Sequence, residues 1–423
     1  MNSFEIAGLV PDTKFTQDLF LDEKFILTAP KLPFKSSLRQ SLIEWEFKNA
    51  ISEGEIVGDK EPVAAPITTP VLSDEITDAS DLFDDEKKEE VEVAEGETIV
   101  QSVMNKIDAM PKTANSTDEN QMQLASMIFE QYLIFIEKIF TRYVTNKELN
   151  YDSIASEAKG LCIYLNDHRR YVLRLRIGNS DDGRSYLLNH ALRSTVLAIV
   201  ISQQLRMPLA KQVELAVACI VHEIGMLKLP PQVYMTDRQL SGADKKSIFT
   251  HPVFSYEILR AYDFPLATQL AVLEHHEKQD GTGYPRRMHS EKISLYAKII
   301  AVACSFEAIT APRFHKEPRS SYEAMVEMIK NNGRQFDESV VKALLFAVSL
   351  FPIGTYVFLQ NGKIAQVVDV NPVNPKMPVL HLVGVKDERG EPVPIQLNEN
   401  TKIIRTLSLK EVDDILKSLN AAK

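Results

Sequence analysis

The feature that most constrains this chain is a long run of helical periodicity between residues 120 and 350. Apolar side chains recur there at spacings of three and four, which places one apolar face on each helix. No segment of this region alternates with period two for long. We therefore predict an all-helical domain over residues 116–350. The first residues to show the spacing are Met127, Ile128, Tyr132, Leu133, Phe135, Ile136 and Phe140.

The same spacing predicts individual helices within this region. Ser241, Ser320 and Asp337 stand just before apolar-periodic segments, where their side chains can cap a helix N-terminus. The predicted helices cover residues 186–205, 208–226, 251–261, 266–277, 295–310, 321–331 and 338–348.

Smaller modules are predicted on both sides of the helical domain. Residues 1–52 predict an α+β module, with a hairpin from residues 15–21 and 25–28 and a helix that starts at Ser37. After residue 351 the period changes to two, and Asn361–Gly362 is a strong hairpin turn. We predict a small β-barrel or sheet over residues 351–408 and a helix over 409–423. The predicted fold class is mainly α.

The net charge of −10 is mostly local. Residues 71–100 hold twelve acidic side chains and two lysines, so the remaining residues are close to neutral. An acidic stretch of this kind is typical of a solvated linker, which we predict over residues 53–115. The chain has no basic stripe with interleaved aromatic residues, which argues against duplex nucleic acid as a partner.

Other bulk features bear on location. No apolar run is long enough to span a bilayer, and the first residues lack the pattern of a secretory signal. The three cysteines do not make a disulfide framework. We therefore predict a cytoplasmic protein without a membrane span.

Histidines indicate the chemistry. Five of the nine lie at predicted helix positions, and His222–Glu223 interrupts an otherwise apolar segment. A buried polar pair costs free energy unless something binds it. Imidazoles are common metal ligands, and a neighbouring carboxylate can bridge two ions. A glycine-rich loop, Asp280 to Pro285, directly follows His275 and His276.

In order and spacing these residues resemble the HD-GYP family, metal-dependent phosphodiesterases that hydrolyse the bacterial second messenger cyclic di-GMP. The resemblance covers roughly residues 120–350. It implies catalytic carboxylates at Glu223 and Glu307, and substrate contacts from Gly283 and Tyr284 of the loop and from Arg313 and Lys316. The implied metal ligands are His190, His222, Glu223, His251, His275, His276 and Cys304.

Four departures from the family pattern bear on activity, and a fifth is milder. Glu223 stands where the family has an aspartate, and it keeps the charge. Cys304 replaces a metal-binding aspartate; a thiolate favours zinc-like ions, but Cys304 can equally be a small buried residue. Met226 replaces a lysine that contacts the phosphate. Tyr186 replaces a glutamate that helps to hold a third metal, so we expect at most two. Glu307 replaces the second aspartate that the family carries on the same helix as Cys304, which is a milder change.

The resemblance implies two divalent ions (iron, manganese or zinc) that activate a water for attack on cyclic di-GMP. A second hypothesis is a degenerate sensor that binds the dinucleotide or a metal without hydrolysis. A third is a scaffold whose Gly283–Tyr284–Pro285 loop docks a protein partner, and a homodimer is also compatible with the sequence. The histidines favour the enzyme, whereas Met226 and Cys304 favour the sensor.

Overall fold

The fold is given by a computed structural model, which describes most of the chain outside the predicted linker. The described residues are 2–10, 12–20, 26–28, 33–34, 36, 39, 42–43, 48–56, 93, 96–108, 117–175, 183–234, 241–311, 319–388, 390–395, 397–398 and 401–421.

The N-terminal residues form short antiparallel strands. Four of them make a sheet in the order β1-β6-β3-β4, and β2 pairs with β5. Pairing of β3 with β4 confirms the predicted hairpin, and most of the helix predicted from Ser37 lies outside the described residues. The strands are β1 (Asn2–Glu5), β2 (Thr13–Lys14), β3 (Leu19–Phe20), β4 (Ile26–Thr28), β5 (Pro33–Phe34) and β6 (Asn49–Ser52).

The central region is helical, as predicted. Its capping residues Ser241, Ser320 and Asp337 accept backbone N–H bonds as expected. The helices are α1 (Ile99–Asp108), α2 (Asp118–Asn146), α3 (Tyr151–Val172), α4 (Gly183–Gln204), α5 (Leu209–Val221), α6 (Gly242–Ile248), α7 (His251–Ala261), α8 (Leu266–Glu274), α9 (Leu295–Thr310), α10 (Ser321–Lys330) and α11 (Glu338–Val348).

Helix α1 corrects one prediction. Residues 99–108 belong to the stretch predicted as a disordered linker, yet they form a helix packed on α2 and α3. Ile99, Val100 and Val103 are buried, and the Ile99 N–H donates to the Glu157 carboxylate at 3.0 Å. The prediction missed this short apolar face because the residues before it are strongly acidic.

Helix α4 lies at the centre of the helical core. It packs against α5, α9 and α11, and its residues Leu192, Ala198 and Ile199 are at most 1% exposed. A helix that is apolar on most sides is stable only when neighbouring helices cover it. This arrangement carries His190 into the interior, beside the ends of α5 and α8.

Two helices end earlier than predicted. The periodicity extends the segments to residues 226 and 277, but α5 ends at Val221 and α8 ends at Glu274. Residues Ile224–Lys228 instead form a short 3₁₀ helix. Each helix therefore stops immediately before a histidine.

The C-terminal residues form a five-stranded antiparallel sheet in the order β10-β9-β8-β7-β11. The predicted turn at Asn361–Gly362 is present, with Gly362 at a φ of 80°. Strand β11 is four residues long and lies at the edge of the sheet. Polar and apolar residues alternate only weakly there, so the sequence pattern does not predict this strand. The elements are β7 (Tyr356–Leu359), β8 (Ile364–Asp369), β9 (Val379–Lys386), β10 (Pro392–Ile395), β11 (Ile403–Thr406) and α12 (Leu409–Ala421).

Charged contacts join this sheet to the helices. Arg174 makes a bidentate pair with Asp118 at 2.7 and 2.8 Å, and the Asp118 N–H donates to Glu391. Arg170 reaches Asp369 of β8 at 3.5 Å. The predicted domain boundaries stay predictions. Among the described helices, none has the length and apolar character that a membrane crossing requires.

Candidate metal centre

The predicted ligands converge in two adjacent groups. Within each group, one donor atom from every residue lies within 4.8 Å of the others. We call them the four-residue group and the three-residue group. The four-residue group is Glu223, His251, His275 and His276, and the three-residue group is His190, His222 and Cys304.

Glu223 lies between the two groups. Its Oε1 atom is 3.5 Å from His222 Nε2 and 3.7 Å from His190 Nε2, whereas its Oε2 atom is 3.5 Å from His251 Nε2. The two oxygens of one carboxylate thus face opposite groups. This is the geometry that a bridging ligand requires.

Helix ends orient three of the histidines. The last carbonyls of a helix have no partner within it, and here the ring Nδ1 atoms of the histidines hydrogen-bond to them. With the proton on Nδ1, the Nε2 lone pair points toward the other ligands, as in many metal sites. The contacts are His222 Nδ1 to Cys219 O at 2.6 Å, His251 Nδ1 to Ile248 O at 2.6 Å, and His275 Nδ1 to Val272 O at 2.7 Å.

His190 has a different support. Its Nδ1 atom hydrogen-bonds to the Glu307 carboxylate on α9, and Arg193 Nε lies 3.9 Å from Glu307 Oε1. Glu307 is 1% exposed and belongs to neither ligand group. The sequence predicted Glu307 as a catalytic carboxylate, but it lies behind His190. A carboxylate in that position orients the imidazole and strengthens it as a ligand.

We expect Glu307→Ala to lower the metal affinity of the three-residue group about 10- to 100-fold, because His190 loses the acceptor that orients its ring. Glu307→Gln should keep most of the affinity, since its amide oxygen can still accept from Nδ1. Metal titration by calorimetry measures the effect. Wild-type affinity in the alanine variant would contradict this role.

The charges of the site suit a cation. Burial alone would raise the pKa of Glu223, but His251, His222 and His190 lower it to about 2, so the group is a carboxylate. Burial and neighbouring histidines hold the pKa values of His275 and His276 well below the usual range, which keeps both rings neutral. In the four-residue group, neutral imidazoles around one buried carboxylate form a donor set that fits divalent metal ions.

Cys304 lies among the ligands. Its Sγ atom is 3.2 Å from His222 Nε2, and burial raises the pKa of the thiol to about 11. The sequence left open whether this residue is a ligand or core packing. Its place beside two imidazoles favours the ligand interpretation, in which the thiol loses its proton when a metal binds.

The glycine-rich loop folds back over the four-residue group. The Tyr284 ring stacks on the His276 ring, with 4.7 Å between centroids. The backbone N–H of Tyr284 donates to the His276 carbonyl at 3.2 Å. The Glu277 carboxylate accepts the backbone N–H groups of Arg286 and Met288 at 2.5 and 2.8 Å. Glu277 therefore holds the loop in place.

Gly283→Ala should displace this loop. A Cβ there would lie 2.5 Å from the His276 carbonyl oxygen and 2.4 Å from the Lys278 nitrogen, and backbone cannot move aside cheaply. We expect a loss of about 1–3 kcal/mol in unfolding free energy, measured by denaturant titration. Gly242→Ala is the matched control, because nothing lies within 4 Å of its added Cβ. Equal effects of the two substitutions would contradict the steric argument.

The remaining predicted residues have different outcomes. Met226 is 7% exposed in the 3₁₀ helix after Glu223, so it offers packing and no charge. Tyr186 stacks on His190 at 5.8 Å. Arg313 and Lys316 lie outside the described residues.

Sequence reasoning missed two supporting residues. Ser255 Oγ donates to the His222 carbonyl at 2.8 Å and accepts the Gly225 N–H at 2.9 Å, which ties α7 to the turn that carries Glu223. No local signal marks this serine. Arg193 lies one helical turn after His190, a spacing that could have suggested a shared face.

Comparison with known proteins agrees with this geometry. Residues 181–340 match the model of the HD domain family. The chain is 29% identical over 234 residues to the cyclic di-GMP phosphodiesterase PdeB of Borreliella burgdorferi, covering 54% of this chain and 62% of that protein. It is 32% identical over 206 residues to a cyclic di-GMP phosphodiesterase of Pseudomonas aeruginosa, covering 48% of each.

The chain thus spans between about half and three fifths of the length of these relatives. Among solved structures, an HDG"Y"P protein of Bdellovibrio bacteriovorus matches 81% of this chain and 97% of its own length. The TM-score of this match is 0.45 and the identity is 14%. On the family match, residues 181–340 belong to the HD domain family, and the similarity to cyclic di-GMP phosphodiesterases supports the resemblance to its HD-GYP members.

Proposed function

We propose that this chain is a metal-dependent phosphodiesterase that hydrolyses cyclic di-GMP. The observation that carries the proposal is the position of Glu223, whose two oxygens face the two ligand groups at 3.5–3.7 Å. Two cations held side by side in this way suit hydrolysis of a phosphodiester. The printed names of the relatives supply the substrate, which the residues of the site do not specify.

Each residue has a defined part in the proposed reaction. When bound, the metal ions supply positive charge beside the phosphate and lower the pKa of a water. Glu223 would be a ligand in both groups, and His222, His251 and His275 would bind through Nε2 because their Nδ1 atoms are engaged at helix ends. Glu307 orients His190 through its Nδ1.

The surroundings of the ligands complete the proposed site. Gly283 and Tyr284 border the four-residue group and are proposed to contact the substrate. Arg313 and Lys316 are proposed to neutralise the phosphate oxygens. We propose two ions, drawn from zinc, manganese and iron, with zinc favoured where Cys304 is a ligand.

The test is to purify the chain, measure bound metal, and follow cyclic di-GMP with added manganese, iron or zinc. Chromatography separates the linear dinucleotide and GMP from the substrate. We expect turnover that needs metal and that is lost in His222→Ala. His168→Ala is the control, because this histidine lies on α3 and belongs to neither ligand group.

Other outcomes separate the alternatives. Stoichiometric metal with dinucleotide binding but no hydrolysis would reject the enzyme and leave the sensor, which the buried Met226 favours. Absence of bound metal under all conditions would reject both. Full activity in His222→Ala would show that the site is wrongly placed.

Location and partners belong to the same proposal. A cytoplasmic protein agrees with three buried, unpaired cysteines, Cys162, Cys219 and Cys304. A protein partner at the Gly283–Tyr284–Pro285 loop and a homodimer stay predictions.

A further inference from the structure

A series of stacked rings leads from the ligands to the protein surface. The His276 ring stacks on Tyr284 at 4.7 Å and 24° between planes. Tyr284 in turn stacks on Phe249 at 4.3 Å and 27°. Each ring is thus tilted by at most 27° from its neighbour, and Phe249 is the outermost of the three.

Exposure rises along this series. His275, beside His276, is 1% exposed, His276 and Tyr284 are half-buried, and Phe249 is 48% exposed. Tyr284 covers one face of the Phe249 ring, so the exposed area belongs to the edges and to the opposite face, which points away from His276. An exposed aromatic ring at the outer end of a series that starts at the ligand groups is a surface that a flat ligand can cover.

The backbone holds Phe249 in place. It directly follows α6, and its N–H donates to the Lys245 carbonyl at 3.1 Å. The preceding residue, Ile248, supplies the carbonyl that accepts from His251 Nδ1 at 2.6 Å. The same turn therefore orients a metal-ligand candidate and presents the exposed ring, which fixes the distance between them.

We propose that Phe249 is a stacking platform for a purine base of the cyclic dinucleotide whose phosphate lies at the ligand groups. This inference rests on the proposed function and names a base-binding residue for it. Bases stack on exposed aromatic side chains in many proteins that bind nucleic acid, because every base has a π-face. Tyr284 supports the platform from behind, through the contact that also ties the loop to His276.

The test compares Phe249→Leu, which keeps apolar bulk without an aromatic face, with Phe249→Tyr, which keeps the ring. For cyclic di-GMP, the leucine variant should raise KM roughly 5- to 100-fold with a smaller change in kcat, and the tyrosine variant should stay near wild type. Because Phe249 is exposed, both variants should fold, which circular dichroism and metal content check.

A second readout reports stacking itself. A cyclic dinucleotide that carries 2-aminopurine should lose fluorescence on binding to wild type and to Phe249→Tyr, and should stay bright with Phe249→Leu. A purely structural role of Phe249 would not separate the two variants in this way.

Outcomes distinguish the two proposals. Hydrolysis with unchanged KM and unchanged quenching in Phe249→Leu overturns the platform and leaves the phosphodiesterase. If wild type and Phe249→Tyr quench 2-aminopurine, Phe249→Leu does not, and no variant hydrolyses the dinucleotide, the stacking role of Phe249 is supported and the phosphodiesterase is rejected. A wild-type protein that neither binds nor cleaves the dinucleotide overturns both.

Discussion

Glu223→Gln is expected to lower kcat/KM for cyclic di-GMP by about a hundred- to a thousandfold. Glutamine keeps the size of the side chain but removes the charge that faces His222, His190 and His251 at 3.5–3.7 Å. An amide offers only one good donor oxygen, so it cannot serve both ligand groups. We expect the variant to bind less metal per chain as well.

Glu388→Gln is the control for charge alone, because Glu388 is exposed in the C-terminal sheet region and distant in sequence from the ligands. Steady-state kinetics and metal analysis of the two variants measure the difference. If Glu223→Gln retained both metal and activity, the bridging role would be wrong, whatever the wild-type protein hydrolyses.

Cys304→Asp should change which metal supports activity. The sulfur lies 3.2 Å from His222 Nε2, so an aspartate there places carboxylate oxygens in the three-residue group. Carboxylates suit manganese and iron better than a thiolate does, and thiolates favour zinc. We expect manganese-supported kcat/KM to rise at least about tenfold and zinc affinity to fall by a similar factor.

Two matched variants make this result interpretable. Cys304→Ala removes the ligand without a replacement and should weaken the binding of every metal. Cys162→Ser changes a cysteine that is buried on α3, outside the ligand groups, and should leave metal preference unchanged. Equal metal preference in Cys304→Asp, Cys304→Ala and wild type would show that Cys304 is core packing, the other alternative left open by its residue type.

Much of the helical architecture follows from local pattern. The predicted segments 251–261, 295–310 and 338–348 coincide with α7, α9 and α11. Capping side chains and apolar spacing act within a few residues, so a single sequence reveals them. The pattern fails where tertiary contacts decide, as in α1, whose apolar face is stable because α2 and α3 cover it.

Helix ends at the site show the same limit. The spacing of apolar residues predicts that α5 continues past His222 and α8 past His275, because both segments remain apolar. In the structure each helix stops before its histidine, and the ring bonds back to a carbonyl of the last turn. In this arrangement the rings meet other candidate ligands, which come from distant parts of the chain.

The sequence by itself determined the helical class, the choice of residues proposed as metal ligands, and the positions where the family pattern changes, since these depend on residue type and spacing. Only the tertiary structure showed that the predicted ligands form two groups with Glu223 between them, that Glu307 lies behind His190, and that Phe249 is exposed. The physical reason is that separation along the chain does not specify distance in space. Packing of α4, α5, α7, α8 and α9 against one another decides which side chains meet.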